Sequence, residues 1–299
     1  MEEKLRSPDN AIAVNLNRVK GKQSDLLELR SIELSELADR ALYEVTELNI
    51  PDMGVYETLS LILENIYAIG DFENSFSAED KAVLSRHIAL GLLKIGFEER
   101  DFFDTAWHDA TVTYVKNPYA DEAYEVFSEE LADARVKYSR DFAECTRLLY
   151  NKDVSYCLFP LEEKGGTRLP TVAELIYRND LKINSITPVF GPDNSLDLKY
   201  ALVSNHFTVP EHNDEDDRYL EIRIPKNDTA RLSELFLAAE LFGHTVYRVD
   251  TQFFAGELSE DMFFSIVFRD NDELFLSLLV YINLFVNEYN LIGMYKNLE

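Results

Sequence analysis

The chain has 299 residues, 46% of them hydrophobic and 12% aromatic, with a formal net charge of −26 at pH 7. This composition predicts a compact protein with room for two or three domains, and it excludes disorder over most of the length. Such an acidic surface repels nucleic acid phosphates and anionic lipids, and no basic stripe offsets the repulsion. We therefore expect neither a nucleic acid nor a membrane partner.

The two cysteines, Cys145 and Cys157, are too few for a disulfide framework or a zinc site. We expect no metal and no cofactor. The first residues lack an apolar core, and no uncharged apolar run reaches about 18 residues, so neither a signal peptide nor a membrane span is expected. These features together predict a cytoplasmic protein in a reducing compartment.

The N-terminal third combines a polar segment with a helical one. Residues 1–24 are polar and predict a loose arm. Residues 25–108 carry apolar side chains at helical spacing and predict a bundle of three or four helices. Ser77 begins the last of these helices in a capping box with Asp80.

Residues 109–210 switch to short apolar runs that alternate with helical segments. We predict strands near 111–115, 135–138, 154–160, 181–183 and 198–203, with helices near 121–134, 142–150 and 169–178. Alternating strands and helices are typical of an α/β layer. Glu162 and Glu163 follow an apolar strand at an apparent turn, where α/β layers often place a site, although a plain turn is an alternative interpretation.

The acidic residues 211–218 predict a linker to a C-terminal domain at 219–299. Alternating apolar residues at 219–225 predict a half-buried strand, and helical spacing follows up to Gly243. Two more strands, a helix near 272–290 and a short strand near 293–295 complete a βαββαβ order. This order is typical of a ferredoxin-like sandwich, and its many aromatic residues suit a core or a homodimer interface.

In this order of segments, residues 110–299 resemble the prephenate dehydratase family, in which an α/β catalytic domain precedes a regulatory ACT domain. The family's Pro-Ile-Glu-Asn-Ser phrase corresponds to residues 160–166 here, and its following helix and strand correspond to 172–176 and 180–183. The resemblance implies an α+β multidomain protein. Its parts would be the helical bundle, a periplasmic-binding-like α/β lobe and an ACT-like βαββαβ sandwich.

Several positions depart from the family pattern. Leu198-Lys199-Tyr200 stands in place of Thr-Arg-Phe, and neither the leucine nor the lysine reproduces a proton donor beside a bidentate arginine. A glycine-rich turn ending in serine is replaced by residues 115–120. Only residues 184–197 fill the interval of a second lobe, so the resemblance implies a reduced lobe that lacks the dehydratase cleft. The catalytic candidates are then Glu162, Glu163 and Lys199.

The ACT-like domain departs from the family in its ligand signature as well. Family members that bind phenylalanine have Gly-Ala-Leu and Glu-Ser-Arg-Pro runs. This chain has Thr229-Ala230-Arg231 and Asp250-Thr251-Gln252 in their places. These six residues are our candidates for binding a small molecule, either an amino acid or an aromatic-pathway intermediate.

The sequence therefore predicts a non-catalytic, prephenate-dehydratase-like protein that binds a small ligand or a protein partner in an amino-acid-related role. An alternative is an active aromatic amino-acid biosynthesis enzyme of the prephenate dehydratase or chorismate mutase type. For the mutase alternative the bundle offers the basic residues Arg30, Arg40, Lys81, Arg86 and Lys94. A third alternative is a structural protein that assembles through its C-terminal domain.

Overall fold

The computed structural model describes residues 8–48, 53–69, 76–105, 110–131, 133–191, 196–210, 217–226, 229–255, 260–270 and 275–298. The helices of these ranges are α1 (Pro8–Glu47), α2 (Val55–Ile69), α3 (Ala78–Lys94), α4 (Pro118–Glu130), α5 (Phe142–Tyr150), α6 (Pro170–Arg178), α7 (Thr229–Leu241) and α8 (Leu276–Phe285). The strands are β1 (Thr111–Val115), β2 (Arg135–Ser139), β3 (Tyr156–Glu163), β4 (Thr167–Arg168), β5 (Lys182–Phe190), β6 (Leu196–Ser204), β7 (Arg218–Pro225), β8 (Thr245–Ala255), β9 (Glu260–Arg269) and β10 (Asn290–Asn297). The result is a mixed α/β protein.

Helices α1, α2 and α3 pack in one core with α7 and α8, and the prediction of a loose arm is wrong for residues 8–24. These residues belong to α1, which continues without a break to Glu47. The chain does not stop at Gly21 because one glycine inside a helix costs only about 1 kcal/mol. The predicted capping box at Ser77 is confirmed, since its side chain accepts from the backbone N–H of Asp80 and the reciprocal bond is present. In the described ranges, no helix combines the length and apolarity needed to cross a membrane.

All the strands join one ten-stranded sheet in the order β2-β1-β3-β6-β5-β10-β7-β9-β8, with β4 paired to the end of β3. The strands of the predicted lobe and those of the predicted sandwich therefore share a sheet. They meet where β5 and β10 run parallel, with Ile183 opposite Gly293. Isoleucine and valine on β5, and leucine and isoleucine on β10, supply the apolar character of a sheet interior.

The C-terminal part of the sheet is covered on both faces. Leu220, Ile222 and Ile224 of β7 pack in one core with α7, α8 and the N-terminal helices. Tyr219 of the same strand packs in a second core with residues of α6. The prediction of a half-buried strand at 219–225 is wrong, because β7 is buried on both faces as far as Ile224. Its charged side chains are therefore enclosed.

Several element boundaries also differ from the predictions. β3 extends through Glu162 and Glu163, so these residues lie in a strand that pairs with β4 and not in a turn. α8 is shorter than predicted, while β5 and β10 are longer because each pairs with neighbours along its whole length. Residues 211–216 of the predicted linker lie outside the described residues, and Arg218 already belongs to β7.

Candidate functional site

A cavity of about 450 Å³ lies between the β3–β4 hairpin, α6 and the edge strand β8. Its walls are residues 166–168 of the hairpin, Pro170, Ala173 and Glu174 of α6, and Arg248 with residues 250–254 of β8. This volume falls in the range of small-molecule sites, about 300–1,000 Å³. The cavity combines charged groups at one end with aromatic rings at the other.

The hairpin turn brings Arg168 into the cavity wall. Gly165 and Gly166 have φ values of 94° and 81°, which side chains with a Cβ rarely adopt, and they reverse the chain within a few residues. As a result Arg168 lies opposite Glu162 across the β3–β4 pair. The glycines thus place a cation over the sheet.

Glu162 is buried behind this wall and lies beside three cations. Its Oε1 accepts from Arg248 Nη1 at 2.6 Å and lies 3.3 Å from Arg168 Nε. Its Oε2 lies 3.9 Å from the Nζ of Lys199, the residue opposite it on β6. The carboxylate therefore fixes the positions of both arginines.

Glu221 holds Arg168 from the sheet side. Its Oε2 accepts from Arg168 Nη2 at 2.7 Å and from the Tyr295 hydroxyl at 2.9 Å, while Oε1 accepts from Ser265 at 2.7 Å. Burial alone would raise the pKa of Glu221, but the charge of Arg168 and these hydrogen bonds hold that pKa below its ordinary value. The carboxylate therefore stabilises the fold at neutral pH, and this contribution is lost as the pH falls through the lowered pKa.

Arg248 presents an unused donor to the cavity. Nη1 donates to Glu162, and Nε is paired with Asp250. Its other terminal nitrogen, Nη2, donates to no residue that the structure describes. Two carboxylates thus hold the guanidinium in place while part of its donor capacity remains available.

Gln252 offers a second donor on the same strand. The residue is buried, and its Oε1 accepts from Arg223 Nε at 3.1 Å. Its Nε2 has no acceptor within the described part of the chain. Gln252 and Arg248 both line the cavity, so each brings a side chain with an unused donor to its wall.

The other end of the cavity is apolar. Phe253 and Phe254 of β8 and Pro170 and Ala173 of α6 supply its apolar lining. Phe254 also stacks on Tyr177 with ring centroids 4.5 Å apart and planes 7° from parallel. An aromatic or aliphatic group of a bound molecule would lose its contact with water here.

No protein-family model matches the chain, and no curated protein sequence matches it. Several solved structures are similar. The prephenate dehydratase of Streptococcus mutans is 16% identical, with 63% of this chain and 98% of that chain covered and a TM-score of 0.46. GqqA, described as a novel type of quorum quenching acylase, is 14% identical, with 62% and 94% covered and a TM-score of 0.46.

The prephenate dehydratase of Arthrobacter aurescens, solved in complex with L-Phe, is 12% identical, with 62% of this chain and 90% of that chain covered and a TM-score of 0.46. At these identities and TM-scores the likeness carries no argument about function.

The structure places the predicted catalytic candidates at different positions. Glu162 and Lys199 lie together behind the cavity, as described above. Glu163 is exposed at the end of β3, where its backbone pairs with Thr167. Metal ligation has no support within the described ranges, where no group of three His, Cys, Asp or Glu residues could hold an ion.

The six predicted ligand-binding residues separate into two groups. Asp250, Thr251 and Gln252 line the cavity. Thr229 and Ala230 form the first turn of α7, whose packing is on the opposite face of the sheet. Arg231 lies 2.8 and 3.0 Å from the side-chain oxygen of Asn287 in the amide orientation that satisfies both groups.

Three of the basic residues on the N-terminal helices have acidic partners. Arg30 lies 3.3 Å from Asp80, Arg40 lies 3.6 Å from Glu44, and Lys81 lies 2.7 Å from Glu234 of α7. Arg86 and Lys94 are exposed. These contacts spread the five residues over separate pairs and do not gather them around one space.

Sequence reasoning missed Arg168, Glu221, Arg223 and Arg248. One signal was available, because Glu221 and Arg223 alternate with Leu220, Ile222 and Ile224 in a strand that could have been buried on both faces. Charged residues in a buried strand must meet partners. The identity of those partners could not be read from the sequence, since Arg168 is 53 positions from Glu221.

Proposed function

We propose that this chain is a non-catalytic ligand-binding protein with an amino-acid-related regulatory role. Its ligand is a small molecule with a carboxylate and an apolar group, and it occupies the cavity beside β8. The observation that carries the proposal is the pair of unused donors, Arg248 Nη2 and Gln252 Nε2, beside an aromatic wall in a space of about 450 Å³.

The charges of the cavity support a carboxylate as the recognised group. A guanidinium donates to a carboxylate in a fixed plane, and such bonds are about twice as strong as those between neutral groups. Arg248 is already oriented by Glu162 and Asp250, so little side-chain entropy is lost when a ligand binds. Asp250 and Glu174 also line the cavity; each is already paired, with Arg248 and Arg178, and would accept from a ligand ammonium through its remaining lone pairs, which would suit an amino acid.

The surroundings of the catalytic candidates favour binding over catalysis. Glu162 is occupied by Arg248 and Arg168, and its nearest other cation is Lys199. Tyr200 is buried and donates to Asn117 at 3.4 Å. A general acid or base must reach the substrate atom that gains or loses the proton. Prephenate turnover that is abolished by Glu162→Gln or Lys199→Met would support the alternative of an aromatic-pathway enzyme.

A thermal-shift titration tests the binding proposal. The twenty amino acids, prephenate, chorismate and simple aromatic carboxylates are each titrated against the purified chain. A ligand at about 100 times its Kd stabilises the native state by about 2.7 kcal/mol. We expect a carboxylate ligand to raise the melting temperature of the wild type and Arg248→Met to abolish the rise.

Arg269→Met is the matched control for that titration. It removes the same charge from an exposed arginine of β9 that pairs with Asp217 outside the cavity. The control should bind the ligand as the wild type does. A ligand-induced rise that survives in Arg248→Met would contradict the proposed site.

We further propose that the chain forms a homodimer through the edge of its C-terminal sheet. β8 ends the strand order and pairs with β9 alone among the described strands. It is 11 residues long, and Val249 and Phe253 on it are 41% and 51% exposed. A long apolar edge strand readily pairs with another chain.

The dimer is tested by light scattering at micromolar concentration. We expect twice the monomer mass for the wild type and the monomer mass for Val249→Lys, because charged side chains on an edge strand oppose pairing. Lysine in place of the exposed Tyr43 on α1 is the control and should leave the dimer intact. A wild type with the monomer mass would refute the dimer.

A further inference from the structure

Arg223 is a buried cation that forms no ion pair with a carboxylate among the described residues, although the charges of Glu221 and Asp180 act on it from a greater distance. Its residue is 3% exposed, and its one hydrogen bond among the described residues joins Nε to Gln252 Oε1. Neither Nη1 nor Nη2 donates to a described residue. The two atoms are also not among the unpaired nitrogens that are completely enclosed in the described ranges, so an acceptor can reach them. A planar pair of terminal nitrogens is therefore open to an acceptor.

The other buried arginines of the sheet are arranged differently. Arg168 contacts Glu162 and Glu221, and Arg218 contacts Glu99 and Asp270. A charge removed from water without a counter-ion is costly, which is why each of these residues has two. Arg223 is the exception to this pattern among the three.

Aromatic rings hold Arg223 in place without using its terminal donors. Its guanidinium carbon lies 5.0 Å from the ring centre of Tyr177, 5.5 Å from that of Phe254 and 6.0 Å from that of Phe263. Such contacts stabilise the charge through the faces of the rings. They provide no hydrogen-bond acceptor for the N–H groups that lie in the plane of the guanidinium. Burial also lowers the pKa of Arg223, and a bound anion would oppose that shift.

Gln252 and Phe254 connect this residue with the cavity, since both line the cavity and both contact Arg223. The strand pairing gives the distance between Arg223 and Arg248. Arg223 is opposite Ser265, which is opposite Asp250, and Arg248 is two residues away from Asp250 on β8. Strand spacing and rise place the Cα atoms of Arg223 and Arg248 about 12 Å apart on one face of the sheet.

We propose that Arg223 is a second anion subsite at the inner end of the cavity. The ligand class is then a small molecule with two acidic groups separated by an apolar spacer. One acidic group binds Arg248 and Gln252, the other binds the terminal nitrogens of Arg223, and the spacer contacts Phe254. This inference rests on the proposed function and specifies its ligand.

A length series of carboxylates tests the subsite. Linear dicarboxylates from succinate to suberate and the monocarboxylates of equal chain length are titrated by thermal shift against the wild type. We expect one dicarboxylate length to bind at least tenfold more tightly than its monocarboxylate counterpart. Arg223→Met should remove this advantage; because Arg223 also holds Gln252, monocarboxylate affinity should fall as well, but by a smaller factor than dicarboxylate affinity.

Two further variants distinguish the Arg223 subsite from the carboxylate site at Arg248. Arg223→Lys keeps the charge without the planar pair of donors and should retain only part of the tighter binding of the dicarboxylate. It also replaces Arg223→Met in this test if that variant does not fold. Arg248→Met should weaken monocarboxylates and dicarboxylates alike. Arg269→Met, the exposed control, should change neither.

The outcomes distinguish the two proposals. If monocarboxylates bind in an Arg248-dependent manner, but no dicarboxylate binds more tightly, the Arg223 subsite is overturned and the proposed function stands. An advantage that survives in both Arg223 variants also overturns the subsite. If no carboxylate stabilises the wild type, the proposed function is refuted together with the subsite.

Discussion

Replacing Arg168 with methionine should destabilise the protein strongly, because Arg168 links the β3–β4 hairpin to the C-terminal strands. The change keeps most of the side-chain volume and removes a cation that lies 2.7 Å from Glu221 and 3.3 Å from Glu162. Glu221 would remain buried with hydrogen bonds from Ser265 and Tyr295 alone. Loss of one partner from a buried pair costs about 3–5 kcal/mol.

The expected loss for Arg168→Met lies within that range, because Glu162 keeps Arg248 while Glu221 loses its cation. The double variant Arg168→Met with Glu221→Leu removes both charges and should recover much of the loss. Apolar replacement of a whole buried pair is often neutral. Urea unfolding followed by far-ultraviolet circular dichroism measures the differences.

Arg178→Met provides the matched comparison. Arg178 pairs with Glu174 at 2.7 Å on the surface of α6, with side chains 53% and 42% exposed. Exposed pairs one helical turn apart contribute about 0.3–0.5 kcal/mol. If Arg168→Met costs no more than Arg178→Met, the buried cluster does not hold the hairpin on the sheet and the reasoning is refuted.

Three further predictions concern the packing and titration of other parts. Gly91→Ala should cost about 1–3 kcal/mol in urea unfolding, because a Cβ there overlaps the side chain of Leu42 between α1 and α3, and an unchanged midpoint would contradict this close approach. Glu99→Ala should cost about 3 kcal/mol, because buried Arg218 loses one of its two carboxylates; a surface-like loss below about 1 kcal/mol would argue against that pairing. Burial raises the pKa of Tyr219 to about 12, so its contribution to the free energy of unfolding is complete below pH 10. Because solvent screens the partly accessible hydroxyl, this contribution should fall by about 1–2 kcal/mol as the pH rises to 12, a loss that Tyr219→Phe removes from the measured pH profile.

Much of the local structure could be predicted from the sequence. Alternating apolar residues identified β7 and β9, and the capping box located the start of α3. These signals are local, since the period of side chains along a strand or a helix depends on backbone geometry alone. The loose arm was the main error, because the prediction gave more weight to the polar composition and Gly21 than to the helix propensity of residues 8–24.

The candidate site could be predicted only in part. The resemblance to the ACT ligand signature predicts Asp250, Thr251 and Gln252 as binding residues, and these three line the cavity. Arg168 and Arg223 could not be chosen, because nothing in their own neighbourhoods indicates what they face. The start of α7 and the cavity lie on opposite faces of the sheet. This arrangement depends on how the helices pack, so it could not be predicted from the sequence either.

The sequence by itself determined the types of most elements, the absence of a disulfide framework and the acidity of the surface, because these depend on residue types and short-range spacing. Only the tertiary structure decided that the lobe and the sandwich share one sheet, that Glu221 meets Arg168, and that Arg223 forms no ion pair with a carboxylate in the described part of the chain. The physical reason is that strand pairing brings together residues far apart in the chain. The free energy of a buried charge depends on which of these distant residues the strand pairing places beside it.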